Sequence, residues 1–137
     1  MIRKRPLLAI VDDDKIFQFT LTRVINYNKQ VERIINFSDG EKAIQYLTDN
    51  KVTNENIPDI IFLDSNMPIL DGWQFIEEYK SIKTEIKKKI VIVMWSSSIN
   101  PIDTERASKI SEISNYLIKP IKLEEVKTFF DDLETLL

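Results

Sequence analysis

Four short apolar runs in this chain each lead directly into a polar residue that can take part in chemistry. The runs are residues 7–11, 60–63, 90–95 and 116–118, and the residues that follow them are Asp12, Asp64, Ser96 and Lys119. Continuous apolar runs of this length are typical of strands that are buried on both faces, as in a parallel sheet. A β-branched run over residues 31–37 adds a fifth candidate strand.

The segments between these runs carry apolar residues at the spacing of helices. The predicted helices cover residues 15–25, a segment capped by Ser38 or Asp39, residues 71–82, a segment that begins at Pro101, and a last segment with the apolar stripe Leu123, Val126, Phe130, Leu133 and Leu137. Asp14 is a candidate N-cap for the first of them. Because strands and helices alternate five times, we predict an α/β fold with right-handed crossovers and a parallel sheet that is covered on both faces.

The charge of the chain does not favour direct binding to nucleic acid. The formal net charge is −3 and the pI is near 5.1, whereas phosphate backbones select a basic face. Residues 80–89 hold five lysines with little aromatic interleaving, which predicts a solvated connector. Residues 49–56 are predicted to form a second polar loop.

The composition also narrows the chemistry and the location. The 137 residues suit one domain and include neither cysteine nor histidine, so thiolate and imidazole sites are excluded and oxygen-ligated metals remain. No apolar run is long enough to cross a membrane, and the run after the basic N-terminus is too short for a signal peptide. We therefore expect a single cytoplasmic domain over residues 1–137, with its core at 7–137, no membrane insertion and no output domain.

The four polar strand ends are expected to meet, because ligands of such sheets bind beyond the carboxyl ends of the strands. Taken singly, each has an ordinary explanation: the aspartates after the first strand and the serines after Trp95 can cap helices, and Lys119 can be a surface lysine. Taken together, carboxylates, a hydroxyl and an ammonium are what a Mg²⁺-assisted phosphoryl transfer to a carboxylate needs. Carboxylates beside Asp64 are expected to raise its pKa unless a divalent cation lies among them.

The ordered motifs VDDD, FLDSNMPILDGW, VMWSSS and YLIKP resemble the receiver domain of two-component response regulators, in particular the stand-alone, chemotaxis-regulator type. The resemblance spans essentially residues 7–137. It implies a flavodoxin-like doubly wound fold with five helices and a five-stranded parallel sheet in the order 2-1-3-4-5. It further implies a signalling protein that accepts a phosphoryl group and changes conformation, rather than a turnover enzyme.

The resemblance gives each matching residue an expected role. Asp64 corresponds to the phosphoacceptor, and Asp12 and Asp13 correspond to the acidic pair that holds Mg²⁺, with Asp13 the more direct ligand. The backbone carbonyl of Asn66 would complete the protein's ligands to the metal. Lys119 corresponds to the lysine that pairs with the phosphoryl group.

Two further matches concern the way in which the signal spreads. Ser96 matches the hydroxyl that follows the phosphoryl group, although three consecutive serines leave Ser97 as an alternative. Tyr116 matches the aromatic residue that changes rotamer with that hydroxyl. The residues two positions beyond the acceptor and beyond the hydroxyl, Asn66 and Ser98, influence in this family how fast the phosphoryl group is lost.

The implied partners are proteins. The donor would be a sensor histidine kinase or a histidine phosphotransfer protein, and a downstream protein would read the signal by contact. Partner or self-association surfaces, including a homodimer through the last two helices, are candidates at Ile99, Ile102, Phe129 and Leu136; the alternative is that these residues only widen the buried face.

Three other functions remain as alternatives. A haloacid-dehalogenase-type hydrolase uses the same nucleophile, metal, hydroxyl and lysine, but it needs a general acid two residues after the nucleophile, where this chain has Asn66. A flavodoxin-like electron carrier would place a flavin phosphate beside the three aspartates, which would repel it. An unphosphorylated interaction module on the same fold is disfavoured, because every chemical position is present.

Overall fold

The structure of the protein, a computed structural model, describes residues 5–97, 100–119 and 122–136. The strands are β1 (Leu7–Val11), β2 (Arg33–Phe37), β3 (Ile60–Asp64), β4 (Val91–Ser96) and β5 (Ile113–Ile118). The α-helices are α1 (Lys15–Asn28), α2 (Gly40–Asn50), α3 (Gly72–Ile82), α4 (Pro101–Ser108) and α5 (Leu123–Leu136). The predictions for Ser98, Ile99 and Leu137, and for the side chain of Leu136, lie outside the described residues.

All five strands are parallel and lie in the order β2-β1-β3-β4-β5. This order confirms the predicted doubly wound sheet. The chain moves from β1 outward to β2 and then crosses back to β3, so β1 and β3 are neighbours whose following loops diverge. Such a switch point opens a crevice at the carboxyl ends of the two strands, and Asp12 and Asp64 lie there.

Apolar side chains divide into two clusters, one on each face of the sheet. Alternate strand residues belong to opposite clusters, as the period of a strand requires. Helices α2 and α3 cover one face through Ala43, Leu47, Phe75, Ile76 and Tyr79. Helices α1 and α5 cover the other face through Leu21, Ile25, Val126, Phe129, Phe130 and Leu133. The three central strands are therefore buried on both sides.

Aspartate side chains cap the first three helices, which confirms the predicted starts. Asp14 accepts hydrogen bonds from the backbone N–H groups of Ile16 and Phe17. Of the two candidates for α2, Asp39 is the cap. Asp71 and Gln74 form a reciprocal capping box at the start of α3. Pro101 occupies the first turn of α4, as predicted.

Several predicted boundaries are wrong at element ends, where the apolar pattern fades. Helix α1 continues to Asn28 because Asn26 and Tyr27, beyond the predicted end at Ile25, are exposed and do not extend the apolar stripe. Strand β5 begins at Ile113 rather than at residue 116, because it is an edge strand with polar residues in its first half. Strand β2 begins at Arg33 rather than at residue 31. The predicted loop at 49–56 contains the end of α2 and a 3₁₀ turn, Asn54–Asn56.

One prediction for α5 is wrong, and one open alternative is decided. Leu123, expected in the core stripe, is 63% exposed, because it begins the helix at the rim, one turn before Val126 becomes buried. Phe129, a candidate for a partner surface, is buried, and its ring centroid lies 5.6 Å from that of Phe62. For Phe129, the alternative of a wider buried face is therefore correct.

Candidate functional site

Three carboxylates meet in the crevice at the switch point. Carboxylate oxygens of Asp12, Asp13 and Asp64 all lie within 4.8 Å of one another. Asp12 follows β1 and Asp64 ends β3, so the parallel pairing of these two strands brings the side chains together. Asp12 and Asp64 are only 2% and 6% exposed, whereas Asp13 faces solvent. The predicted meeting of strand ends is confirmed for these residues.

The Asp12 segment is held by a buried glutamine. The amide nitrogen of Gln18 donates to the backbone carbonyls of Asp12 and Phe37, at 2.5 and 2.7 Å, and Asn36 donates to the Gln18 carbonyl oxygen. The backbone N–H of Asp14 donates to the Asp12 carboxylate at 2.9 Å. These bonds satisfy the backbone where β1 and β2 end, and they fix the direction of the Asp12 side chain.

The Asp64 carboxylate is positioned by the loop that follows β3. The backbone N–H of Asn66 donates to the carboxylate at 3.2 Å. The loop then folds back so closely that a Cβ on Gly72 would lie 2.5 Å from the Asp64 carbonyl oxygen and 2.8 Å from the Ser65 Cα. Only glycine allows this approach. The start of α3 thus presses against the backbone of Asp64 and Ser65.

Lys119 reaches both buried carboxylates from the end of β5. Its ammonium nitrogen lies 2.7 Å from a carboxylate oxygen of Asp12 and 3.6 Å from one of Asp64. It also lies 4.3 Å from the centroid of the Phe17 ring, a distance that favours a cation–π contact. The backbone N–H of Lys119 donates to the carbonyl of Ser96 at 2.7 Å, which ties the end of β5 to that of β4.

The charges of this site shift its acid–base behaviour. Burial, and next to it the charge of Asp12, raises the pKa of Asp64 to about 7, although Lys119 and the Asn66 N–H act in the opposite direction. Burial alone would lower the pKa of Lys119, but its hydrogen bond to Asp12 and the charges of Asp12 and Asp64 raise it above the usual value. The expected rise in the Asp64 pKa is thus confirmed.

The two predicted switch residues lie on the neighbouring strands. Ser96 ends β4 and is buried, whereas Ser97 is exposed. Tyr116 lies in β5, and its hydroxyl is buried without a hydrogen-bond partner in the part of the chain that the structure describes. Its ring stacks on that of Trp73, with centroids 6.4 Å apart and planes at 25°. The roles of these residues stay predictions.

The donor set fits a small divalent cation. Three hard carboxylate oxygens converge, and Lys119 brings one positive charge to two of these carboxylates, those of Asp12 and Asp64. Mg²⁺ prefers oxygen ligands and keeps several waters, so two or three carboxylates and a backbone carbonyl are enough. Asp12, Asp13 and Asp64 are therefore the residues that could hold it.

Sequence reasoning missed Gln18 and the role of Phe17. Gln18 falls on the buried side of α1 as a polar residue, with 8% exposure, and a polar position within an apolar helix face is a signal that could have pointed to it. Phe17 lies within the helix predicted at residues 15–25, and the sequence gives no sign of its contact with Lys119. The helix turn that half-buries Phe17 also places its ring beneath Lys119, a contact that depends on tertiary structure.

Comparison with known proteins agrees with this geometry. Residues 8–131 match a family model described as the response regulator receiver domain. A two-component response regulator from Cytophaga hutchinsonii has a TM-score of 0.86, with 28% identity, over 97% of this chain and 99% of that one. The phosphorylated cyanobacterial phytochrome response regulator RcpA has a TM-score of 0.75, with 26% identity, over 95% of this chain and 91% of that one.

Curated relatives include longer proteins. The probable methanogenesis regulatory protein FilR2 of Methanothrix harundinacea is 24% identical over 128 residues, which cover 93% of this chain and 81% of that protein. The chain spans less than half the length of several other curated relatives. None of the helices within the described residues combines the length and the apolarity that crossing a membrane requires.

Proposed function

The chain belongs to the response regulator receiver domain family of two-component systems, and on that premise we propose that Asp64 accepts a phosphoryl group from a phosphohistidine of another protein. The observation that carries the proposal is the convergence of Asp12, Asp13 and Asp64 with Lys119 at the switch point. The phosphorylated form of the relative RcpA supports it. The 137 residues contain no histidine, so the donor's phosphohistidine lies outside them.

In the proposed step, a carboxylate oxygen of Asp64 attacks the phosphorus of the donor's phosphohistidine. The bond between the imidazole nitrogen and phosphorus breaks, its electron pair returns to the imidazole, and an acyl phosphate forms on Asp64. Only the ionised carboxylate is a nucleophile, and the raised pKa of Asp64 therefore works against the reaction near neutral pH. Lys119, already 3.6 Å from Asp64, is placed to neutralise negative charge on the incoming phosphoryl oxygens.

Asp12 and Asp13 would hold Mg²⁺ together with Asp64 and the backbone carbonyl of Asn66. The bound ion would supply charge neutralisation at the phosphoryl oxygens, and it would keep the Asp64 carboxylate ionised. Burial of Asp12 against its hydrogen-bond partners prepares that side chain for the role, and the exposure of Asp13 leaves an approach from solvent.

The donor, a histidine kinase or a histidine phosphotransfer protein as is general for the family, needs a surface around Asp64. Exposed aliphatic side chains lie at the carboxyl edge of the sheet, where the loops and helices after the strands begin, among them Ile16 at the start of α1, Ile69 in the loop after β3 and Ile102 at the start of α4. These residues form an apolar rim around an acidic centre. We propose that the donor protein contacts this rim and that a downstream protein reads the α4–β5–α5 surface.

Other parts of the proposal concern assembly and the competing functions. Ile102 keeps its place as a candidate for a homodimer contact through the last two helices, and a cytoplasmic location stays part of the proposal.

Asn66 cannot act as the general acid that a haloacid-dehalogenase-type hydrolase needs. For this reason we favour an acceptor that carries the phosphoryl group as a signal over an enzyme that turns over substrate.

The test is phosphorylation by a small acyl phosphate, followed by intact-mass spectrometry. We expect one added phosphoryl group with Mg²⁺ present and none with EDTA, and Asp64→Asn should remain unmodified. Asp13→Ala should lose Mg²⁺ binding most and Asp12→Ala next. Uptake that survives in Asp64→Asn, or that is indifferent to EDTA, contradicts the proposal.

A further inference from the structure

Three side chains from three elements form a layered stack beside the site. The guanidinium carbon of Arg106, in α4, lies 4.3 Å from the centroid of the Trp73 ring, in the first turn of α3. On β5, the ring of Tyr116 stacks nearly parallel to that of Trp73. A guanidinium plane over an indole ring is the strongest pairing of the cation–π class. The stack therefore connects α4 to α3 and to the predicted switch tyrosine.

Helix α4 has little else to hold it by burial. Of its eight residues, all of which the structure describes, only Ala107 is buried. The apolar Ile102 of the same helix is 71% exposed. A helix that buries one small side chain gains little from the hydrophobic effect, so the contact between Arg106 and Trp73 adds to a restraint that otherwise comes from Ala107 and from Ile110, just after the helix.

Two interactions of the Tyr116 side chain act in opposite directions on its stability in this position. Its hydroxyl is buried and unpaired within the described residues, which disfavours this arrangement. Its stacking on Trp73 and its packing in the cluster of α2 and α3 favour the same arrangement. Because these two tendencies have opposite signs, a change in either of them shifts the preference of the Tyr116 ring between two positions.

We propose that Arg106 and Trp73 act as a latch that keeps α4 and the Tyr116 ring in the arrangement seen here, and that sets how readily phosphorylation of Asp64 moves them. Arg106 is a positioning residue in this scheme and does not touch the reacting atoms. The proposal rests on the proposed function, since it concerns the regulation of the same site. It differs from the role that Tyr116 takes by resemblance, because it assigns the restraint to Arg106, which lies outside the receiver motifs, and to the indole of Trp73, which ends the motif FLDSNMPILDGW.

A physical consequence follows from linkage. A contact that exists in one arrangement and is broken in the other opposes any ligand that favours the second arrangement. Removal of the contact should therefore strengthen binding of that ligand by the factor by which the contact favoured the first arrangement. For an exposed cation–π pair this factor is about two- to fivefold.

The experiment compares Arg106→Gln with Arg23→Gln. Arg23 also lies over an aromatic ring, that of Phe19 at 5.5 Å, but on the surface of α1. We expect Arg106→Gln to bind beryllofluoride, a mimic of the phosphoryl group, about two- to fivefold more tightly than wild type, and Arg23→Gln to match wild type. Arg106→Lys, which keeps a cation, should be intermediate. Unchanged or weaker binding by Arg106→Gln overturns the latch.

Hydrogen exchange of the unmodified protein separates the two proposals. Without any phosphoryl mimic, Arg106→Gln and Trp73→Leu should both speed exchange in residues 101–108, and Arg23→Gln should not. Wild-type protein that fails to bind beryllofluoride contradicts the proposed function, and the exchange comparison still decides on the latch. If residues 101–108 exchange at the wild-type rate in both Arg106→Gln and Trp73→Leu, the latch does not exist.

Discussion

The Lys119 ammonium lies 2.7 Å from the Asp12 carboxylate, although 107 residues of chain separate them. β1 and β5 are not neighbours in the sheet, because β3 and β4 lie between them. The lysine side chain therefore crosses two strands to reach its partner. The contact joins the first and last strands above the crevice, and it partly neutralises two buried acids.

Replacement of Lys119 by methionine should affect stability and metal binding with opposite signs. Loss of the cation leaves Asp12 and Asp64 buried beside each other, so we expect the Mg²⁺-free protein to lose about 1–3 kcal/mol of unfolding free energy. The same loss makes the crevice more negative and should tighten Mg²⁺ binding. Urea unfolding in EDTA and a Mg²⁺ titration measure the two effects.

The matched control for Lys119→Met is Lys80→Met. Lys80 pairs with Glu77 on the exposed face of α3, and such surface pairs contribute about 0–1 kcal/mol. Both Mg²⁺ affinity and stability should stay close to wild type in this variant. Weaker Mg²⁺ binding by Lys119→Met would show that the lysine supports the metal site rather than opposing it.

The raised pKa of Asp64 predicts how stability depends on pH. In the folded protein the pKa is about 7, against an ordinary value of 3.8. Between these values the folded state binds a proton that the unfolded state does not, so this group makes stability fall as pH rises through the window. Asp64→Asn removes the effect. In EDTA the variant should match wild type near pH 4 and exceed it above pH 7 by up to about 4 kcal/mol, since each pKa unit corresponds to about 1.4 kcal/mol.

Addition of Mg²⁺ provides the control for this pH effect. An ion bound between the carboxylates stabilises the ionised form of Asp64, so the advantage of Asp64→Asn at high pH should shrink or reverse when Mg²⁺ is present. Thermal unfolding at a series of pH values, with EDTA and with Mg²⁺, shows this. An advantage for Asp64→Asn that is equal at pH 4 and pH 8 would contradict the shifted pKa.

The sheet and its crevice could be predicted because continuous apolar runs and the residues that end them are local features of the sequence. Asp12 and Asp64 were expected to meet, since parallel strands bring their carboxyl ends to one edge. The burial of individual residues in α5 could not be predicted, because it depends on how the helix is rotated against the sheet and on where the helix begins. Phe129 is buried because α5 lies on Phe62, and Leu123 is exposed because it begins α5, one turn before Val126 becomes buried.

Contacts between distant side chains were also out of reach of sequence reasoning. The stack of Arg106 on Trp73 joins two helices whose spacing is set by the strands beneath them. Gln18 binds carbonyls at the ends of two different strands, and its partners emerge only once β1 and β2 are paired. The residue types of the site could therefore be predicted from the sequence, whereas the side-chain contacts that hold them in place could not.

Gly72→Ala should disturb the acceptor although alanine favours helices. The new Cβ would lie 2.5 Å from the Asp64 carbonyl oxygen, a clash with backbone that has to move the loop after β3. We expect a loss of about 1–3 kcal/mol in stability, which exceeds the gain in helix propensity of about 1 kcal/mol. Phosphorylation by a small acyl phosphate should slow as well. A variant that is more stable than wild type would show that the loop accommodates the methyl group.

The apolar rim predicts that a donor protein and a small phosphodonor respond differently to the same substitution. Ile16 is 80% exposed in the first turn of α1, which starts beside the acidic crevice. Ile16→Ser removes no buried contact, so the fold and the reaction with a small acyl phosphate should be unchanged. Transfer from a phosphorylated histidine phosphotransfer protein should slow about tenfold. The reason is that a well-packed interface side chain contributes about 1–2 kcal/mol to the binding free energy.

Val52→Ser tests whether position, rather than exposed apolar area, causes that effect. Val52 is 87% exposed but precedes β3, so it lies at the opposite edge of the sheet from Asp64. A partner that has to place a phosphohistidine against Asp64 cannot cover both edges, and this variant should accept the phosphoryl group at the wild-type rate from either donor. If Val52→Ser slows protein-to-protein transfer as much as Ile16→Ser does, the rim around the crevice is not the donor's contact surface. If Ile16→Ser also slows the small donor, the residue acts on the site itself and not on docking.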